Sequence, residues 1–204
     1  MEATMETPTL NLIKEGLKEA MSYQEYKELV DKHAAEGSNT GPEVTEALAQ
    51  YTLLNQRRMK RWAKTFKLDA AAQEAIADRD QPLTWLVLTE SWCGDAAHAT
   101  PIMDAFAQAN PNIELKVLLR DEHLALMDAF LTNGARSIPK LIAFDAKQET
   151  VVGTWGPRPT PATAMVNIYK AEHGKLTPEF KQDLQVWYNK DKGKAIAADL
   201  LELL

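Results

Sequence analysis

The sequence predicts an α/β protein: a mixed central sheet with helices on both faces, preceded by a helical extension. Three observations predict it. Residues 10 to about 78 carry apolar side chains at helical spacing and no strand signal. From residue 84 onward, short strand-forming runs alternate with helical stretches in the order β-α-β-α-β-β-α. The first two strands are separated by a helix and the last two by a short turn. This combines a parallel crossover with an antiparallel hairpin in one mixed sheet. The expected division is a helical extension over 1–80, an α/β domain over 81–175, and a C-terminal helical segment over 176–204 that packs on it.

In the preface, Leu10, Ile13, Leu17 and Met21 mark a first helix. Ser22 followed by Glu25 is a capping box opening a second, with Tyr26, Leu29 and Val30 on its apolar face. Residues 37–42 (Gly-Ser-Asn-Thr-Gly-Pro) break the pattern. A third helix is expected over about 43–66, with an unusually polar stripe of Leu48, Tyr51, Thr52, Asn55, Arg58 and Met59. Either this stripe covers a sheet edge or face, or it closes a groove at the functional end. A short fourth helix starts near Asp69 and closes at residues 78–82.

Residues 84–89 read as a strand buried on both faces, and 96–109 as a helix. Residues 113–119 alternate as a strand should, and 123–133 read as a helix capped by Gly134. Residues 141–144 and 151–155 form the hairpin. Residues 156–161 hold three prolines and form a stiff loop. Helices follow over 163–173 and, as one or two pieces, over 178–204.

Composition narrows the function. The net charge of −6 gives no nucleic-acid footprint. The one basic cluster, residues 57–61, reads as a solvated helix face. The start, Met1 to Pro8, is polar and acidic and leads into no apolar stretch of a secretory signal. No apolar run approaches the roughly 20 residues a membrane span needs. The count of one cysteine excludes an internal disulfide and a cysteine-rich zinc site. A cytoplasmic protein is expected, its thiol kept reduced unless it reacts. No metal or organic cofactor is implied.

That cysteine sits in Ser91-Trp92-Cys93-Gly94-Asp95-Ala96, between a buried strand and a helix start. A helix N-terminus offers unpaired N–H groups and about half a positive charge. A thiolate placed there is stabilised and its pKa falls. The turn resembles the active-site turn of the thioredoxin superfamily, whose usual form is Trp-Cys-x-x-Cys. Pro101 stands where that family kinks the following helix, and Ser137-Ile138-Pro139 where it carries a cis-proline before a strand. The resemblance covers about residues 82–173. More narrowly, the chain resembles a bacterial thioredoxin-like group with a Trp-Cys-Gly-Asp turn and a long helical N-terminal region. It implies Cys93 as nucleophile, with Trp92, Gly94, Asp95, Ile138, Pro139 and Arg158 around the substrate. Pro139 would set the backbone of Ile138 opposite the sulfur, where substrate peptide pairs by strand addition.

The departures are equally informative. Ala96 replaces the resolving cysteine, so a mixed disulfide cannot be released by the chain alone. Val87 stands where thioredoxins bury an acid. Glu90 and Asp95 oppose thiolate formation if charged near the sulfur. His98 either faces the thiol or lies on the surface. Arg120-Asp121 closes the second strand, as a ligand-binding arginine or as a surface ion pair. Arg158, held between Pro157 and Pro159, is a fork suited to carboxylates or part of a rigid connector.

Two functions follow. In the first, Cys93 exchanges with a protein disulfide or is capped by a low-molecular-weight thiol such as glutathione, and an external thiol resolves it. In the second, the chain is a redox-inactive peptide- or protein-binding module that keeps the groove. A cluster shared between two copies would need a different turn and another soft ligand nearby.

Overall fold

A computed structural model describes residues 7–204 of the chain, so the polar start before Thr7 lies outside the described residues. The described residues build a five-stranded sheet in the order β1-β3-β2-β4-β5. Its strands are β1 (Met21–Ser22), β2 (Leu83–Thr89), β3 (Ile113–Leu119), β4 (Lys140–Asp145) and β5 (Thr150–Trp155). As expected, β2 and β3 are parallel and β4–β5 form an antiparallel hairpin. β4 also pairs antiparallel with β2, which makes the sheet mixed.

Strand periodicity sorts the core onto two faces. Leu83, Trp85 and Val87 of β2 point into the larger apolar cluster, Leu86 and Leu88 into the smaller. The larger face is covered by α2 (Tyr23–Glu36), α3 (Glu46–Thr65), α4 (Ala70–Ala77) and α5 (Gly94–Ala109). It also receives α7 (Thr160–His173), α8 (Pro178–Asp191) and α9 (Lys194–Leu201). The smaller face packs under α1 (Thr7–Glu19) and α6 (Leu124–Ala129). The larger cluster is continuous through Tyr26 and Met59 of the preface, the sheet, and Phe180, Tyr188 and Leu200 near the C-terminus.

The capping box forms as the sequence predicts: Ser22 Oγ accepts from the Glu25 N–H, and the Glu25 carboxylate accepts from the Ser22 N–H at 2.7 Å. Two expectations are corrected. The preface is not free of strand. Met21 and Ser22 extend before the cap and pair antiparallel with Val117 and Lys116, covering one sheet edge. Two residues are too few to leave a periodic signal. The helix expected over 123–133 stops at Ala129. Asn133 (φ 51°) and Gly134 (φ 74°) are both left-handed, in a tight turn bridged by Thr132 and Ala135. An Asn-Gly pair favours such a primed turn over a helix cap.

Candidate functional site

Cys93 is the N-cap of α5 and has no side-chain capping bond. Its Sγ donates to the carbonyl of Ile138 at 3.3 Å. The Ile138–Pro139 and Gly156–Pro157 bonds are both cis. Gly156, at the end of β5, lies so close to this ledge that a Cβ on it would stand 2.0 Å from the Pro139 carbonyl oxygen.

A cleft of about 850 Å³ opens over the thiol. It is lined by Trp92, Cys93, Gly94, Asp95, Ile138 and Arg158, all expected at the site from sequence. Pro139 is buried beneath it and does not line it. Ala96 and Val87 are both buried and apolar in their surroundings.

The cleft floor is shaped by one ion pair. Arg158 Nη2 lies 2.7 Å from Asp95 Oδ2, and the Tyr188 hydroxyl donates to Asp95 Oδ1 at 3.0 Å. The Asp95 side chain is only 13% exposed. Burial raises its pKa, and Arg158 opposes that rise. The stiff loop places the Arg158 guanidinium against the carboxylate two residues from the sulfur.

Helix terminus and carboxylates pull the thiol in opposite directions, and burial tips the balance away from the thiolate. Cys93 is 8% exposed. Burial, with the Asp95 charge adding to it, pushes the thiol up to about 12. The N–H groups of Ala96 and Asp95 and the Arg158 charge pull the other way and lose. Glu90, the other suspected carboxylate, has a different role. It is wholly buried, accepts from the Thr40 hydroxyl and from the Asp121 N–H (2.9 Å), and burial raises its pKa.

The turn that carries Cys93 is fastened from the helical preface. The Thr40 N–H donates to Ser91 Oγ (3.0 Å), and the Ser91 N–H donates to Thr40 Oγ1 (2.8 Å). Trp92 Nε1 donates to the Thr40 carbonyl (3.1 Å). From α3, Thr52 Oγ1 lies 2.8 Å from Ser91 Oγ, and Asn55 Nδ2 donates to the Ser91 carbonyl (3.0 Å). Thr52 and Asn55 of the polar stripe of α3 therefore clamp the turn that carries Cys93. Thr40 was hidden inside a segment whose Gly and Pro content signalled only a break; its polar neighbours gave no spacing from which to read a role.

Two further readings are corrected. His98 is neither on the surface nor against the thiol. It is 1% exposed, accepts from Trp62 Nε1 at Nδ1 (2.7 Å), meets Gln185 Oε1 at Nε2 (2.7 Å) and stacks on Tyr188. It ties α3 to α8. The basic cluster is not wholly solvated either. Met59 is buried and Arg58 lines the cleft beside Gly94, donating to Asn55 Oδ1 at 3.1 Å. Arg120 pairs with Asp121 at 2.8 Å, and it lies over the Trp92 ring at the cleft wall.

His98 gives the protein an acid-sensitive joint. Burial lowers its pKa from 6.5 to about 4. Over that interval the folded chain binds fewer protons here than the unfolded chain. The joint's contribution is complete above pH 6.5 and is lost as pH falls toward 4, by about 3 kcal/mol at most. Urea midpoints of wild type and His98→Gln at pH 7 and pH 4.5 check this. The gap between them should narrow at the lower pH; a constant gap would show that His98 does not titrate in this window.

Comparison with known proteins agrees with this fold. A family model described as thioredoxin matches residues 41–175. No curated protein matches. Among solved structures, a protein of unknown function from Pseudomonas aeruginosa is similar at 20% identity and a TM-score of 0.58, covering 74% of this chain and 83% of that one. An HIV epitope-scaffold is similar at 18% identity and a TM-score of 0.57, covering 90% and 97%. These two likenesses concern the fold.

Proposed function

Because the chain belongs to the thioredoxin family, we propose that it works as a monothiol member, holding its substrate as a mixed disulfide at Cys93. The observation that carries this is the placement of Sγ in the floor of the cleft, against Ile138, with Ala96 in the resolving position. The exchange balances without an outside oxidant. Sγ attacks a substrate disulfide, the Sγ–S bond forms as the S–S bond breaks, and the thiol proton leaves on the departing sulfur. A second, external thiol later reverses it.

The high pKa of Cys93 supports capture over rapid turnover. With its pKa raised by burial, the thiol stays protonated at neutral pH. Random disulfides are then poor partners, while one lodged in the cleft gains from proximity. A thiolate of high pKa is also a poor leaving group, so a mixed disulfide formed here breaks slowly. A reducing cytoplasm is the compartment that fits a free thiol of this kind. The same raised pKa favours a second reading, a binding module in which the sulfur never exchanges. No helix of the described residues is long and apolar enough to cross a membrane.

The two readings separate in one experiment. Iodoacetamide should modify Cys93 more slowly than a small free thiol at pH 8, with a rate still climbing at pH 10. Incubation with a small disulfide should add one half-disulfide mass at Cys93, removed only slowly by external thiol. A folded protein that takes no such adduct while its unfolded form does would leave the binding module standing.

A further inference from the structure

The cleft gathers positive charge in a protein whose net charge is −6. Its lining includes Arg58, Arg120, Arg136, Arg158, Lys170 and Lys181, and a single acidic side chain, Asp95, among the described residues. These cations come from α3, the turn after β3, the segment before β4, the proline loop, α7 and α8. They converge in space without forming a run in sequence. Three are already neutralised: Arg158 by Asp95, Arg120 by Asp121, Arg136 by Asp128. Arg58, Lys170 and Lys181 have no ion-pair partner among the described residues.

We infer that the cleft selects a small anionic disulfide or thiol, one carrying two or more carboxylates; this rests on the exchange reading above. Surplus cations in a concave site concentrate anions and raise their encounter rate. Arg58 is placed for the reacting end, since its Nη1 lies 3.4 Å from where a Cβ on Gly94 would be, next to the sulfur-bearing cap. Lys170 and Lys181 stand on α7 and α8, so an anion bound by all three spans the cleft. The volume, about 850 Å³, falls within the range of sites for small molecules. Leu48 and Tyr51 of α3 and Leu184 and Gln185 of α8 wall it. The Ile138 carbonyl is already taken by the thiol. Both features favour a compact solute over an extended protein strand laid along the ledge.

The test uses three linear disulfides of opposite or no charge: dithiodiglycolate, 2-hydroxyethyl disulfide and cystamine. Mass spectrometry follows adduct formation at Cys93 in the full chain at low and high salt. The dianion should react about tenfold faster than the neutral disulfide at low salt, and cystamine slowest. Added salt should compress the order. Lys170→Gln with Lys181→Gln should slow the dianion about fivefold or more and slow the neutral disulfide far less. Calorimetry on Cys93→Ser supplies an arm independent of sulfur chemistry: dithiodiglycolate should bind, and cystamine should not. Reaction without charge preference would overturn the anion selection and leave exchange intact. Calorimetric preference without any adduct would uphold the selection and remove exchange. Neither preference nor adduct would remove both.

Discussion

Gly156→Ala should lose about 3 kcal/mol of stability, a fall in Tm of roughly 6–12 °C for a chain of this size. Two independent facts set the size of the effect. Gly156 has φ of 114°, a backbone region that side-chain-bearing residues rarely enter. A Cβ there would lie 2.0 Å from the Pro139 oxygen and 3.1 Å from its carbonyl carbon. Both are backbone atoms, so no rotamer change relieves the contact. The end of β5 must part from the Ile138–Pro139 ledge. That movement withdraws the Ile138 carbonyl from Sγ, so iodoacetamide should also reach Cys93 faster. Circular dichroism melts check the first effect and alkylation kinetics the second. A variant melting within 2 °C of wild type would show that the ledge and the hairpin end are not in the contact described.

The second large effect belongs to the Asp95–Arg158 pair, whose two halves should behave oppositely. Arg158→Ala leaves a largely buried carboxylate with only the Tyr188 hydroxyl, and should cost about 2–3 kcal/mol. It also removes a charge that lowers the thiol's pKa, so Cys93 should become slower still. Asp95→Asn removes the charge that most opposes the thiolate after burial itself. A nearby like charge typically shifts a pKa by a unit or more, so alkylation at pH 8 should quicken about tenfold. Urea titration and rates of iodoacetamide labelling on both variants read this directly. Equal labelling rates in wild type and Asp95→Asn would mean that burial alone sets the thiol's pKa.

The fold was largely legible because its signals are local. The buried run of β2, the alternation in β3 and the hairpin each follow from side-chain period and turn length, and their bounds agree with the sequence reading to within a residue or two. The meeting of Cys93, Ile138 and Arg158 was foreseen through resemblance, since nothing in the spacing brings residues 93, 138 and 158 together. What escaped reading was environment. Whether a cap thiol is ionised depends on how deeply it is covered, and the cover comes from Ile138 and neighbouring helices far away in sequence. His98 illustrates the same limit. Its partners, Trp62 and Gln185, lie 36 and 87 positions away and are joined only by the packing of α3 and α8. Local pattern also misassigned Asn133-Gly134, where a cap and a primed turn share the same glycine.

The fastening of Ser91 by Thr40, Thr52 and Asn55 makes the helical preface inseparable from the turn that carries Cys93. A shortened chain beginning near residue 80 would retain every strand but β1 and every side chain expected from family likeness. It would nonetheless strip the Ser91 hydroxyl and carbonyl and the Glu90 carboxylate of their buried partners, and flood the sulfur-bearing corner with water. The half that carries the sheet and Cys93 therefore depends on the helical preface for the shape of its turn.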